Sequence, residues 1–280
     1  FSTIVTNTTT GTIYYADTSK GRTYYFAGNP TDNWVSFGGF YWRIIRINED
    51  GTLRLIYQGT SANTTGTGTQ LQTSTFNSTY NNNMYVGYMY EGNQVHGLVN
   101  NSDIKRVLDG WYQNSLTGVS DKIDGNAGFC GDRTPYSGTG KGTINTDYSA
   151  ENRLINNKKP SFECQNESDF YTTNGSEDGN KALTYPIGLI SADEAWYAGG
   201  LNANNTSYYL YTGQNYWTMS PAHFMGGWAS VFFINSNGSL GALGSSYVNS
   251  AYGVRPVINL KGDVTISSGS GTASNPYVVL

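Results

Sequence analysis

Asp193 and Glu194 are adjacent carboxylates, and pairs of carboxylates perform general acid–base chemistry in enzymes that cleave sugar linkages. That chemistry requires two carboxyl groups that face each other across a gap of about 5–10 Å. Both residues, however, belong to the string Ser191-Ala-Asp-Glu194. This string matches a capping box, in which the serine hydroxyl and the glutamate carboxylate satisfy each other's backbone amides at the start of a helix. We expect capping to account for Glu194 in full.

Nucleophilic catalysis has no better candidate in the sequence. The two histidines, His96 and His223, lie in no triad-like pattern, and Ser220 is followed directly by a proline. Ser220 therefore lacks the Gly-x-Ser-x-Gly elbow that exposes a serine nucleophile. The chain is predicted not to be an enzyme.

Cys130 and Cys164 are the two cysteines of the chain. Neither histidine lies at a zinc-like spacing from them, which argues against a zinc site. A disulfide between them would close a long loop and stabilise the fold by on the order of 3–4 kcal/mol. Two unrelated buried thiols are the alternative, and a secreted context favours the bridge.

A glycine-rich stretch after position 120 carries several oxygen-bearing side chains. They are Asp121, Asp124, Asn126 and Asp132. Hard cations prefer carboxylate and amide oxygens, so these four residues are a candidate calcium site. Polar turns also produce such clusters with no ion bound, and that alternative stays open.

The segment from Ala222 to Tyr252 places aromatic residues and a histidine among glycine, serine and asparagine. The candidate ligand-binding residues are His223, Phe224, Trp228, Tyr247 and Tyr252. Loops mounted on a rigid scaffold are where recognition usually resides, so we predict a binding surface here. The alternative is that aromatic residues of this segment fill the core.

The elements that position these residues begin with a β-hairpin. A strand-like run from Phe40 to Asn48 and another from Thr52 to Tyr57 flank an Asp-Gly turn, where Gly51 can adopt a positive φ without steric cost. A helix is predicted from Ser102, its cap, to Gly118, its terminator, and a second from Ser191 to Gly199.

Further strands follow from alternating and β-branched patterns. A strand or a hairpin is predicted at Met84 to Val99. Strands are predicted at Tyr208 to Tyr211, Tyr216 to Ser220, Trp228 to Ile234, Ser239 to Leu243 and Val254 to Leu260, with a hairpin turn at Asn237-Gly238. Arg255 is expected to hold the last of these strands through a buried carboxylate. The fold class is therefore α+β, with a twisted antiparallel sheet, two short helices and long polar loops. We predict a main domain over 1–262 and a C-terminal β-ribbon tail over 263–280.

Composition narrows the class of partner. Charged residues make up only 13% of the chain, far below the usual quarter, and the polarity comes instead from short neutral side chains. The net charge of -4 comes without a basic stripe, which argues against nucleic acid as a partner. No apolar run approaches the ~20 residues that span a bilayer, and the chain begins at Phe1 without a signal peptide. We expect a trimmed extracellular domain.

Several strings occur in a characteristic order along the chain. They are Tyr41 to Tyr57, Cys130-Gly-Asp-Arg133, Cys164, Leu183 to Glu194, Tyr216 to Pro221, Gly253 to Leu260 and Gly271 to Tyr277. In this order they resemble a family of uncharacterised secreted and surface domains of gut Firmicutes, often found behind a prepilin-type leader. The resemblance implies display on a Gram-positive cell surface.

The order of the two helices and the tryptophan-rich C-terminal region is also similar to the C-type-lectin-like fold, which lectins and formylglycine-generating enzymes share. This similarity implies a recognition or adhesion module that binds a host or bacterial surface protein or a glycan through aromatic loops. In relatives diversified by retroelements, the C-terminal segment is the variable binding face. The alternative is a structural subunit of a surface fibre or pilus, in which copies of the chain contact one another.

Overall fold

The computed structural model describes residues 3–7, 12–241 and 246–280. The strands in chain order are β1 (Thr3–Asn7), β2 (Thr12–Thr18), β3 (Gly21–Phe26), β4 (Trp34–Phe37), β5 (Phe40–Ile47), β6 (Leu53–Gly59), β7 (Thr73–Ser74), β8 (Met89–Tyr90), β9 (Asn100–Asn101), β10 (Phe129–Cys130), β11 (Pro135–Ser137), β12 (Thr146–Tyr148), β13 (Phe170–Tyr171), β14 (Tyr216–Met225), β15 (Trp228–Ile234), β16 (Leu240–Gly241), β17 (Tyr252–Gly253), β18 (Val257–Leu260), β19 (Ile266–Ser268) and β20 (Tyr277–Val279).

The α-helices are α1 (Asp103–Ser115), α2 (Ser149–Glu151) and α3 (Ala192–Ala198), and a π-helical turn, Asn152–Asn156, follows α2 directly. Short 3-10 helices span Thr67–Thr69, Asn83–Val86, Thr117–Lys122 and Glu167–Asp169. Only 17% of the chain is helical, so sheets dominate and the coarse α+β prediction is confirmed.

The larger sheet is built around the predicted hairpin. Strand β5 pairs with β6 along one edge, and along its other edge with β4 near its start and β3 near its end. Beyond them the sheet continues through β2 to β1 on one side and through β20 to β19 on the other. The hairpin prediction is confirmed, and Gly51 in its turn has a φ of 84°.

Strand β18 closes the larger sheet on the far side of β6, with Leu260 opposite Leu53 and Val257 opposite Ile56. The terminal ribbon forms as predicted, because β19 pairs with β20 in antiparallel orientation. Strand β20 also pairs in parallel with β4, so residues 263–280 extend the larger sheet.

The second sheet has the order β11-β12-β14-β15-β16, with β17 pairing both β14 and β7. Its centre is the hairpin of β14 and β15, and one hydrophobic cluster joins both large sheets to all three helices. Trp42 from the first sheet and Trp217 from the second are fully buried in this cluster. The two sheets therefore share a single core.

Several local predictions were wrong. The region Met84 to Val99 begins as a 3-10 turn and contains the two-residue strand β8, which pairs with β9 just beyond the region, so the predicted strand or hairpin is much shorter than expected. Tyr208 to Tyr211 forms turns because its tyrosines pack into the core from a loop. Helix α1 ends at Ser115 rather than at Gly118, and α2 is a third helix that the sequence pattern did not reveal.

Arg255 is buried as expected, but its partner was predicted wrongly. Its guanidinium donates to the backbone carbonyls of Tyr57 and Leu210 and to the amide oxygen of Gln58. It therefore ties the segment just before β18 to β6 through neutral acceptors, and burial lowers the pKa of Arg255 because no carboxylate offsets the loss of water.

Candidate functional site

A cleft of about 820 Å³ opens beside the β5–β6 hairpin, the first turn of α3 and the segment 161–178. We call its largely buried charged residues the floor: Arg46, Arg54, Asp132, Arg153, Asp193 and Glu194. We call its exposed charged residues the rim: Lys20, Asp50, Glu163, Glu167, Glu177 and Asp178. About half of the residues that line the cleft are charged, a much higher share than in the rest of this sparsely charged chain.

Glu194 is the centre of one half of the floor. Its Oε1 lies 2.5 Å from Arg54 Nε and 3.1 Å from Arg46 Nε, while its Oε2 accepts the backbone amide of Ser191 at 3.0 Å. The serine hydroxyl accepts the amide of Glu194 in return, so the predicted capping box is confirmed. Capping alone is an incomplete account of Glu194, because the same carboxylate pairs with two arginines from the hairpin, of which Arg46 also faces Glu49 at 3.5 Å.

The surroundings of Glu194 decide its charge. Burial alone would raise the pKa of Glu194, but Arg54 and Arg46 outweigh burial and lower it below its ordinary value. For Arg54, burial is the larger effect and lowers the pKa of the guanidinium. Glu194 is therefore a fixed anion that holds the hairpin against α3.

Arg153 is the centre of the other half of the floor. It donates from Nε and Nη2 to the two carboxylate oxygens of Asp193, at 2.9 and 2.6 Å, and from Nη2 to Asp132 at 2.6 Å. Asp193 also accepts the backbone amide of Ser161 at 2.8 Å. One guanidinium thus holds two carboxylates, which leaves this half of the floor one negative charge in excess.

Asp132 is the carboxylate that responds to this excess of negative charge. Burial is the main effect that raises the pKa of Asp132, to about 6, and the neighbouring Asp193 adds to it while Arg153 opposes it. Asp132 therefore changes charge close to neutral pH, although its carboxylate stays engaged with Arg153.

The predicted disulfide is confirmed, with Cys130 and Cys164 bonded and their Cα atoms 5.4 Å apart. Both cysteines line the cleft. The bridge joins β10 to the segment 161–178, and so fixes one wall of the cleft to the body of the domain.

Two aromatic rings line the same wall. Phe162 stacks on Tyr197 with ring centroids 4.1 Å apart, and the guanidinium of Arg46 lies 4.9 Å from the Phe162 ring. The ammonium of Lys20 lies 5.4 Å from the ring of Phe170. The wall therefore presents aromatic faces that already receive cations.

The three aspartates among the four residues predicted to bind calcium make other contacts. Asp121 is exposed beside Lys122, and Asp124 accepts the backbone amides of Asn126 and Ala127 in a local turn. Asp132 faces Arg153. Among the described residues no three His, Cys, Asp or Glu side chains converge as a metal site requires. Turn formation and ion pairs use the carboxylate oxygens on which the calcium prediction relied, and the calcium site stays a prediction.

The predicted aromatic surface is only partly at the surface. Phe224 is 0% exposed, and His223 is buried with its Nδ1 2.9 Å from a Glu151 oxygen, so neither can face a ligand. Both predictions were wrong because β14 lies between β12 and β15 and packs its side chains into the core. Tyr252 is half-buried and stacks on Phe233 at 4.7 Å.

Trp228 and Tyr247 do meet at the surface, with ring centroids 4.8 Å apart, and both are partly exposed. Trp228 also stacks flat on Tyr80 at 4.1 Å. Tyr80 was missed because it lies in a polar tract that the sequence pattern marks as loop. The ion-paired floor was missed because its residues come from separate parts of the chain.

Comparisons of the chain with protein-family models, with curated proteins and with solved structures give no match. Among the residues that the structure describes, no helix combines the length and apolar character needed to cross a membrane. The disulfide is compatible with an extracellular protein, because such bonds persist in oxidising compartments.

Proposed function

We propose that the chain is an extracellular, surface-displayed recognition module that binds its ligand in the cleft and leaves it chemically unchanged. One observation carries the proposal: an open cleft of about 820 Å³ whose floor charges are held in ion pairs with one another. Small-ligand sites typically measure about 300–1,000 Å³, so the cleft has the capacity for a ligand. Catalytic acids and bases must exchange protons with a substrate, whereas these carboxylates face arginines.

The lectin-like architecture belongs to the same proposal. Support comes from the α+β class, from the capped helices α1 and α3, and from the sheet-rich C-terminal half that packs against them. The disulfide and the low charge content support an extracellular location. The cleft takes the place of the predicted aromatic loops as the main site, because Phe224 and His223 are buried.

The test is to fill the cleft without disturbing the fold. Gly175 lines the cleft, and a Cβ added there meets no atom within 4 Å, so Gly175→Trp places a large ring in the opening. Gly118→Trp is the matched control, because Gly118 has the same free space but lies outside the cleft lining. On arrays of glycans and peptides, the wild type and the Gly118 variant should bind the same ligands, and the Gly175 variant should lose them. Equal binding by all three proteins would contradict the proposal.

A fibre subunit is the second candidate, and the edges of the larger sheet favour it. Strand β19 is one end of that sheet, its three residues are exposed, and Ile266 presents an apolar side chain there. An open edge can pair with a strand from another copy. Ile266→Lys should then abolish concentration-dependent association in sedimentation experiments, with Thr265→Lys as the control. A wild type that stays monomeric at all concentrations would exclude this candidate.

A further inference from the structure

The negative charge of the protein is concentrated in the cleft. The cleft lining contains nine Asp and Glu residues and four Lys and Arg residues. Taking these from the 20 acidic and 16 basic residues of the whole chain leaves 11 acidic and 12 basic residues elsewhere. The remainder of the molecule is thus close to neutral, and the field of the protein focuses on the cleft.

The four Lys and Arg residues that line the cleft already pair with carboxylates, so they leave its excess negative charge for a ligand to neutralise. Arg46, Arg54 and Arg153 are held by floor carboxylates, and Lys20 pairs with Asp178 at the rim. On the rim, Glu167 and Glu177 are exposed, and within the described residues neither carboxylate has a hydrogen-bond or ion-pair partner. These two carboxylates can therefore engage a ligand without breaking an existing contact.

A buried acceptor below the rim requires a hydrogen-bond donor. Asn48 lines the cleft and is 6% exposed, and its amide nitrogen donates to Thr52 Oγ1 at 2.8 Å and to Asn259 Oδ1 at 3.2 Å. These two contacts fix the orientation of the amide, since Asn259 Oδ1 can only accept. Among the residues that the structure describes, none donates to Asn48 Oδ1. Only a group that brings N–H or O–H bonds can satisfy it.

The aromatic wall of the cleft is a surface that cations approach. Phe162 and Phe170 each already lie within about 6 Å of a cationic group of the protein, the distance over which a ring face attracts a cation. A metal ion is a poorer fit, because the described residues offer no cluster of three ligand side chains. An uncharged sugar would leave the excess negative charge of the cleft unneutralised.

We infer that the ligand of the cleft is a multiply charged cation with N–H donors, of the kind that an arginine- or lysine-rich peptide segment supplies. The inference rests on the proposed function, since it names the ligand class of that same site. Rim carboxylates neutralise the guanidinium or ammonium groups beside the aromatic wall, and an N–H donor reaches toward Asn48. A free polyamine has the same chemistry, so the test must separate the two sources.

The test uses a fluorescein-labelled hexa-arginine peptide and fluorescence anisotropy. Glu167→Gln/Glu177→Gln removes the two unpaired rim charges, and both side chains are exposed, so the fold should be unaffected. The matched control is Asp121→Asn/Asp263→Asn, which changes the net charge equally at exposed sites outside the lining. We expect binding roughly tenfold weaker in the rim variant, as two exposed charge interactions allow, and little changed in the control.

Several outcomes decide the inference. Competition by unlabelled hexa-arginine but not by spermine supports a peptide ligand, and equal competition by spermine supports a polyamine. If both double variants bind hexa-arginine equally weakly, the peptide is attracted by the net charge of the protein and not by the cleft, and the inference is overturned. If hexa-arginine does not bind while Gly175→Trp still abolishes binding of an uncharged array ligand, the proposed function stands and the inference fails. If Gly175→Trp changes no binding at all, the proposed function itself fails.

Discussion

The guanidinium of Arg153 faces the carboxylate of Asp193 edge to edge, with two hydrogen bonds of 2.9 and 2.6 Å. The same guanidinium holds Asp132 at 2.6 Å, so it joins the π-helical turn after α2 both to the first turn of α3 and to the segment that directly follows β10 and its cysteine. A side chain from one turn thereby fixes the position of two acids that lie far apart in the chain.

Removing that side chain should be costly. Arg153→Met leaves Asp193 and Asp132 buried without a counter-charge, and breaking a buried pair in this way typically costs about 3–5 kcal/mol. The free energy of unfolding from urea titration at pH 7 should fall by that amount. Arg106→Met is the control, because Arg106 pairs with Asp103 at the surface and should change stability by less than about 1 kcal/mol. A similar loss in both variants would contradict a central role for Arg153.

The raised pKa of Asp132 predicts a pH dependence of stability. Its pKa is about 6 in the folded protein and about 3.9 in the unfolded chain, so between these values the folded state binds more protons. The contribution of Asp132 to stability should therefore increase as the pH falls from about 7 toward 4, and be lost as the pH rises through 6. Subtracting the unfolding free energies of Asp132→Asn from those of the wild type, measured across this range, isolates the effect. A flat difference would show that Asp132 does not titrate there.

The two roles of Glu194 can be separated by two substitutions. Ser191→Ala removes one capping bond and should cost about 1 kcal/mol. Glu194→Gln keeps an oxygen that can accept the Ser191 amide but leaves Arg54 buried without its anion, so it should cost more, about 3 kcal/mol or above. Thermal unfolding of the two variants under identical conditions gives the comparison. Equal costs would mean that the cap alone stabilises this region.

Reduction of the disulfide should weaken both the fold and the cleft. In the chain-entropy model, a loop with a sequence separation of 34 loses on the order of 3–4 kcal/mol when its cross-link is removed. Because both cysteines line the cleft, hexa-arginine binding should fall as well. The melting temperature with and without reductant measures the first effect, and Cys130→Ser/Cys164→Ser, which reductant cannot affect, is the control. A wild type indifferent to reductant would contradict the prediction.

Local chemistry in the sequence was enough to predict the elements whose contacts are short-range. The hairpin of β5 and β6 follows from two strand patterns around Gly51, and the start of α3 follows from the capping box of Ser191 and Glu194. The start of α1 at Ser102 is of the same kind, because the cap and its amide are three residues apart. In each case the partners are close in the chain, so residue type and spacing determine the contact.

Tertiary structure alone decided which charges meet and which aromatic side chains are buried. Glu194 and Arg46 are 148 positions apart, and Phe224 is enclosed because β14 lies between two other strands of its sheet. The cleft exists only where the hairpin, α3 and the disulfide-linked wall converge. Residue types predict what a side chain can bind. Long-range strand pairing and packing decide what it reaches, because many pairings satisfy the same local pattern and only the complete core selects one.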